Sequence, residues 1–355
     1  MTDQKSVVTL RIPKKILAIG IIAIVLVAAI LVLWQVYPIL LNPSSNYVPV
    51  KLQPMNLTLI GPKGTTLTLN ESAIAKLESL TSQGGFKTSV GRLEGIGNYT
   101  GVRLIDLCNL IGGINSMCSL RINASDGYSM DYTYDQVMGN DFVTFSPATG
   151  DETNHTQPLT LILAYYKNGL NLTSDEGPLR LSIVSPEGVL TESHWWIKYV
   201  EKIEIRPAIE EWTLLLKGAL VENMTRATFE SGANEGCHGI NWTDSNSNLW
   251  TGIPLWLLIG RVDDGNVHKT TNAVRAFNDT LALQGYTVRV INGNGDYIEF
   301  TSLRVMRNSA IIVANRLNGA PLPEPYWPLK LVGSVLSNDE MICNIVEIQI
   351  IFSGS

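Results

Sequence analysis

The chain has 355 residues, 45% hydrophobic and 16% charged, which is the composition of a folded protein of one or two domains. Its formal net charge is −6. That acidic balance excludes a nucleic-acid partner, because phosphate neutralisation requires clustered Lys and Arg.

In chain order, residues 1–15 carry Lys5, Arg11, Lys14 and Lys15 against Asp3 and are expected to form a cytoplasmic tail. Residues 16–37 are expected to be a transmembrane anchor. Ile16 to Trp34 holds no charge, and at ~1.5 Å per residue it reaches about the ~30 Å of a hydrocarbon core. Trp34 and Tyr37 suit an interfacial aromatic belt, and Pro38 and Pro43 end the helix. Lys14 and Lys15 just before the span place the N-terminus in the cytoplasm. The expectation is a single-pass cell-membrane protein that binds the lipid bilayer through one helix, with its bulk extracytoplasmic. A cleaved signal peptide is the alternative. Residues 38–54 read as a polar stalk.

Nine sequons, at Asn56, Asn70, Asn98, Asn123, Asn154, Asn171, Asn223, Asn241 and Asn278, follow the apolar run, as expected of an extracellular glycoprotein. Cys108, Cys118, Cys237 and Cys343 also follow it. An even count in an oxidising compartment suggests two disulfides.

The remainder shows an internal repeat. Tyr99-Thr-Gly-Val-Arg-Leu corresponds to Trp250-Thr-Gly-Ile-Pro-Leu, and each leads into a stretch with apolar residues at helical spacing. Hairpin signals follow around Asp126-Gly127 and around Asn294-Gly295. Leu161 to Gly169 and Ile311 to Gly319 are apolar strands ending in Asn-Gly turns. Gly177-Pro-Leu-Arg-Leu matches Trp327-Pro-Leu-Lys-Leu, and each copy closes on an alternating strand, Val200 to Ile205 and Ile345 to Ile350. The order predicts two tandem domains, 55–206 and 212–352, of an α+β, strongly β class with a few short helices. Asn70 is expected to cap a helix carrying Ile74, Leu77 and Leu80, with no evident counterpart in the second copy.

These motifs resemble the molybdopterin-binding domain of the sulfite oxidase family, in a membrane-anchored, archaeal-like version with two copies. Trp250 to Leu255, Asp126-Gly127-Tyr128, Asn318 to Leu322, Gly177 to Leu181 and Trp196-Ile-Lys198 carry the likeness. The resemblance implies a molybdenum cofactor held by a cysteine thiolate upstream of the aromatic-x-Gly segment. Cys237-His238-Gly239 stands there in the second copy, and Ser89 is the polar candidate in the first. Arg261, Lys269, Arg275 and Arg289 are candidates for the cofactor's phosphate. The arginine context typical of the family is missing after Cys237, where Ile240, Asn241 and Trp242 stand.

Three readings of Cys237 stay open: a metal ligand, a disulfide partner of Cys343, and a free thiol. Cys108 with Cys118 reads as a helix-to-strand disulfide. His238 is expected beside the cofactor or an anion, and a lone Cys-His pair is a weak zinc signal. His155, His194 and His268 read as surface or loop residues, and Trp195-Trp196 as core packing. Asp263-Asp264-Gly265-Asn266 reads as a turn, since no Glu completes a calcium loop. No nucleophile–base–acid set is visible. The favoured function is a non-catalytic surface module that keeps the fold and binds a ligand or another envelope protein. The alternative is a molybdopterin-dependent oxidoreductase with the metal on Cys237 and a separate redox partner.

Overall fold

Each half of the chain opens with a hairpin whose buried positions alternate. Leu57 and Leu59 are buried in β1 (Asn56–Ile60), and β2 (Thr66–Asn70) pairs antiparallel with it. The computed structural model describes residues 51–265 and 277–352, and from Leu52 onward the chain is one compact unit. The first half continues through β3 (Ser79–Lys87), β4 (Leu93–Arg103), β5 (Cys118–Ala124), β6 (Ser129–Thr133), β7 (Thr160–Lys167), β8 (Leu170–Asn171), β9 (Arg180–Ser185), β10 (Thr191–Glu192) and β11 (Val200–Pro207). The second half holds β12 (Thr213–Lys217), β13 (Val221–Thr225), β14 (Ile240–Thr243), β15 (Leu249–Pro254), β16 (Tyr286–Asn292), β17 (Tyr297–Thr301), β18 (Ile312–Leu317), β19 (Ala320–Pro321), β20 (Lys330–Val332) and β21 (Ile345–Phe352).

Four sheets result, and they match in pairs. One sheet runs β2-β1-β11-β5-β6, and its counterpart runs β13-β12-β21-β16-β17. In both, the opening strand lies parallel to the closing strand, with Leu59 opposite Ile203 and Leu216 opposite Ile348. The other two sheets share the path β3-β4-β7-β8 and β14-β15-β18-β19, with β9 on β7 and β20 on β18. β10 has no counterpart among the described strands.

Both Thr-Gly pairs fall at one kind of place. Thr100 faces Tyr166 while Gly101 faces Ala164, so Tyr165 is the extra residue of a bulge. Thr251 faces Arg316 while Gly252 faces Ala314, so Asn315 is the extra residue. The glycines are required because the neighbouring backbone approaches too closely for a side chain. A Cβ at Gly101 would lie 2.2 Å from the Leu163 carbonyl oxygen, and one at Gly252 would lie 2.0 Å from that of Val313.

The fold class is mostly β rather than α+β: strands make up 42% and helices 14%. The amphipathic stretches after the Thr-Gly pairs form only α2 (Leu104–Asn109) and α5 (Leu255–Ile259). Asn70 does cap α1 (Glu71–Ile74) through its side chain on the Ala73 N–H at 2.9 Å, but that helix stops after four residues. Its counterpart, unforeseen in the sequence, is α4 (Arg226–Gly232), which follows β13 as α1 follows β2 and is capped by Thr225. Between α2 and α4 in the chain lies the short α3 (Tyr134–Val137).

The expected membrane anchor is corrected as well. Among the described residues no helix is long and apolar enough to cross a membrane. The segment 16–37 itself lies outside the described residues, as do the tail 1–15 and most of the stalk. Bilayer binding and the extracytoplasmic placement built on it therefore have no support in the structure.

The two halves meet across a buried charge cluster. Helix α4 lies on β6. Asp131 of β6 accepts from Arg121 at 2.8 Å and from Arg316 at 2.6 Å. Burial would raise its pKa, but Arg316 and Arg121 outweigh burial and hold the carboxyl below its ordinary value. Arg226 of α4 donates to Glu230 at 2.8 Å, to Glu211 at 2.7 Å and to the Asp131 carbonyl at 3.2 Å. Asn234 completes the seam by accepting from the Ser129 N–H at 2.7 Å and donating to the Ser129 carbonyl at 3.0 Å. These are the hydrogen bonds of a neighbouring strand, made by one amide side chain.

Two outcomes follow. Gly101→Ala or Gly252→Ala is expected to destabilise by about 1–3 kcal/mol or more, because backbone must shift at the bulge; denaturant unfolding checks this. Asp131→Asn leaves Arg121 and Arg316 facing a neutral amide in a buried site, and is expected to cost about 3–5 kcal/mol. Thermal unfolding of Asp131→Asn beside the exposed control Asp339→Asn separates that loss from a general charge effect.

Candidate functional site

At the C-terminal end of α4 the chain makes a tight turn that fixes Cys237 and His238. The N–H groups of Cys237 and Gly239 donate to the Asn234 carbonyl, each at 3.1 Å, and that of His238 donates to the Gly232 carbonyl at 3.0 Å. A Cβ at Gly239 would lie 2.0 Å from the Ala233 carbonyl oxygen, so glycine is needed there. The turn presents Cys237 and His238 to a cleft of about 710 Å³. Glu222, Thr228, Ser231 and Arg261 extend that wall, and the first half supplies the other: Lys87, Asp126, Tyr128, Phe145, Glu192, His194, Trp196 and Lys198. Tyr128 spans the two walls, donating its hydroxyl proton to the His194 carbonyl at 2.9 Å with Ser231 Oγ 3.0 Å away.

The charges of the cleft are largely spoken for. Arg261 is gripped by Glu222, Nε to Oε2 at 2.8 Å and Nη2 to Oε1 at 2.5 Å. Lys87 donates to the Gly150 carbonyl at 2.8 Å and lies 4.4 Å from the centre of the Phe145 ring. Burial lowers the pKa of His194 to about 4, with Arg226 adding to the effect. The cleft walls also lower His238, first by desolvation and then through Arg261. Desolvation, with Asp126 behind it, raises the Cys237 thiol although the residue is solvent-accessible. At neutral pH both imidazoles are therefore neutral and Cys237 is a thiol rather than a thiolate.

The predicted site residues separate. Cys237 and His238 share the cleft, but Cys343 lies elsewhere, bridged to Lys330 at the end of the second-half sheet. All four cysteines are free thiols. Cys108 is buried in α2, and Cys118 Sγ sits 3.6 Å from Asn115 Oδ1. Of the two described candidate phosphate ligands, Arg261 lines the cleft, with its guanidinium paired to Glu222. Arg289 pairs with Glu299 at 2.7 Å on the strand pair β16–β17, and Lys269 and Arg275 lie outside the described residues. Ser89 lines the cleft. His155 is half-buried with Nδ1 2.8 Å from the Gln157 carbonyl oxygen, and His268 lies outside the described residues.

His194 is not the surface residue expected. Its side chain is 14% exposed, and Nε2 has no hydrogen-bond partner, with Glu192 3.8 Å away. Its neighbours Trp195 and Trp196 are buried, Trp196 against Phe86 and Tyr99 at 5.4 and 5.2 Å between ring centres. The adjacent tryptophans were the available signal for its burial. Tyr128, Lys87 and Glu222 carried none. Among the described residues no three His, Cys, Asp or Glu side chains are placed to hold a metal ion.

No family model matches the chain, and no curated protein matches it. Among solved structures, the sulfane dehydrogenase SoxCD from Paracoccus pantotrophus is similar at a TM-score of 0.33 and 15% identity. The match covers 76% of this chain and 60% of that one, so it spans well under the full length of that protein.

The depressed His194 gives a pH prediction with a definite sign. Its pKa is 6.5 ordinarily and about 4 in the fold. Between those values the unfolded chain takes up a proton that the native state refuses, so stability is full above pH 6.5 and falls as pH drops toward 4. The loss is on the order of 3 kcal/mol. Glu192, whose pKa burial raises, contributes the opposite slope. Subtracting the pH profile of His194→Gln from that of the wild type isolates the histidine, and a difference that does not change across this window would contradict the assignment.

Proposed function

We propose that the chain is a non-catalytic binding module that holds a small, uncharged, hydroxyl-rich molecule in the cleft between its halves. One observation carries this reading: the cleft is large, its arginine is ion-paired with Glu222, and its imidazoles are neutral. The same lining holds three cations, Lys87, Lys198 and Arg261, and three carboxylates, Asp126, Glu192 and Glu222, so it carries no excess of positive charge. The remaining lining combines hydroxyls of Thr88, Ser193, Thr228 and Ser231 with the rings of Tyr128, Phe145 and Trp196. Paired hydrogen-bonding groups beside aromatic faces favour a polar neutral ligand over an anion. The likeness of the two pairs of sheets supports a further reading, that 55–206 and 212–352 are two copies of one ancestral domain.

The alternative places a molybdopterin on Cys237. In its favour, Cys237 does line a cleft of about 710 Å³. Against it, the donor set does not fit the group. The phosphate requires unpaired cations, whereas Arg261 is committed to Glu222.

The test is to make the wild type and Cys237→Ser in a molybdopterin-competent host, assay bound molybdenum, and titrate both with maltose as a neutral probe. The proposal expects no stoichiometric molybdenum in either protein and saturable, salt-insensitive heat from maltose in both. Stoichiometric metal in the wild type that vanishes in Cys237→Ser would overturn it.

A further inference from the structure

The two matched sheets that hold the opening hairpins end on equivalent strands, β6 in the first half and β17 in the second. The outer edge of β6 is sealed by the second half. Asn234 takes both backbone groups of Ser129, and Arg226 donates to the Asp131 carbonyl. The outer edge of β17 has no strand beyond it.

The hairpin turns fix which backbone groups face outward. The Ala124 N–H donates to the Tyr128 carbonyl, and the Asn292 N–H donates to the Asp296 carbonyl, each at 2.9 Å. Bonded and unbonded pairs alternate along an antiparallel ladder. Ser129 and Asp131 of β6 therefore turn their N–H and C=O groups away from β5, and Tyr297 and Glu299 of β17 turn theirs away from β16. Those of Tyr297 and Glu299 have no hydrogen-bond partner among the described residues. An edge of this kind is a template for another strand, and β17 lacks the usual protection, since Tyr297–Thr301 holds no Pro, no Lys and no bulge.

The side chains repeat as well. Arg121 lies opposite Asp131, and Arg289 lies opposite Glu299. The first pair is buried in the seam, with side chains 9% and 2% exposed, whereas the second stands open at 31% and 42%. Asp131 receives a second arginine, Arg316, from the other half. Glu299 receives only Arg289, and both of its bonds fall on Oε1.

We propose that the edge of β17 is the docking site for an extended peptide segment of a partner protein, which adds as an antiparallel strand and sets an arginine opposite Glu299. The sealed edge of β6 shows what the open one is shaped to receive: backbone-like donors and acceptors, and an arginine from outside the sheet. The partner's arginine would meet the second oxygen of Glu299, and its flanking apolar residues would lie beside Ile298 and Phe300 on the inward face. Self-pairing of β17 about Glu299 would set two carboxylates opposite each other, which disfavours a second copy as the occupant.

The experiment follows the backbone amide resonances of the full chain during titration with three end-blocked peptides: Thr-Val-Arg-Val-Thr, Thr-Val-Glu-Val-Thr, and the first with its arginine nitrogen methylated. Saturable shifts at the Tyr297 and Glu299 amides are expected with the arginine peptide, and binding weaker by roughly tenfold with the glutamate peptide. Methylation removes the donor to the Glu299 carbonyl while keeping the charge, so it should abolish binding. In the exposed variant Glu299→Gln the arginine and glutamate peptides should bind equally, at unchanged melting temperature. No saturable shift at these amides, undiminished binding of the methylated peptide, or a preference for arginine that survives in Glu299→Gln would each overturn the proposal. Shifts of the same amides that follow protein concentration alone would assign the edge to a second copy and overturn it too. The maltose titration reads the cleft at Cys237, so either reading can fail without the other.

Discussion

The arrangement depends on one buried carboxylate. Asp131 lies on β6 of the first half, is 1% exposed, and receives Arg121 from its own sheet and Arg316 from the second half. Stripping water from these ions costs several kcal/mol each, and the cost is offset only when every partner is in place. Sliding the halves by even one residue would break the Arg316 contact and the Asn234 bonds to Ser129 together. The register of the seam is therefore set by charge and hydrogen-bond geometry. The cleft inherits its shape from it, because α4 contributes Thr228, Ser231 and Gly232 to its wall.

Much of the strand order was legible because turn chemistry is local. Asn168-Gly169 and Asn318-Gly319 adopt positive φ at both residues, as a tight hairpin turn demands, and Gly127 and Gly295 do so in the other hairpins. The Thr-Gly pairs were visible as a repeat, although the reason for glycine, a carbonyl oxygen of the next strand close above it, was not. Helix content was overread. Leu104, Leu107 and Cys108 are spaced for a helix and are all buried, but a helix of six residues satisfies the spacing. The helix that Thr225 caps showed no evident signal in the sequence, and it carries the charged residues Arg226 and Glu230. Both are buried in the seam, where long-range ion pairing overrides the usual pattern.

The candidate site was half legible for the same reason. Cys237 and His238 are adjacent in sequence, so their joint presence in the cleft needed only a turn. Tyr128, Lys87 and Arg261 come from segments far apart, and no spacing rule brings them together. Nor does sequence report whether an arginine is free. Arg261 and Arg289 both look like phosphate ligands in isolation, and both are bound to glutamates, Glu222 and Glu299.

The repeat gives this a wider sense. A scaffold whose halves share the same sheet paths and the same bulge has two equivalent positions, and the halves fill them differently. In the first, Tyr165 packs edge-on against Tyr166 at the bulge, and Trp196 packs against Tyr99 of the adjacent strand β4. In the second, Trp250 lies against Tyr326 at 5.7 Å with Lys330 over both rings, and Asn315 leaves its amide oxygen buried and unpaired. The bulge is held by Gly252 and strand pairing, neither of which depends on what Asn315 contributes. A scaffold position kept rigid by backbone sterics can thus exchange a packing ring for a polar acceptor without losing the fold.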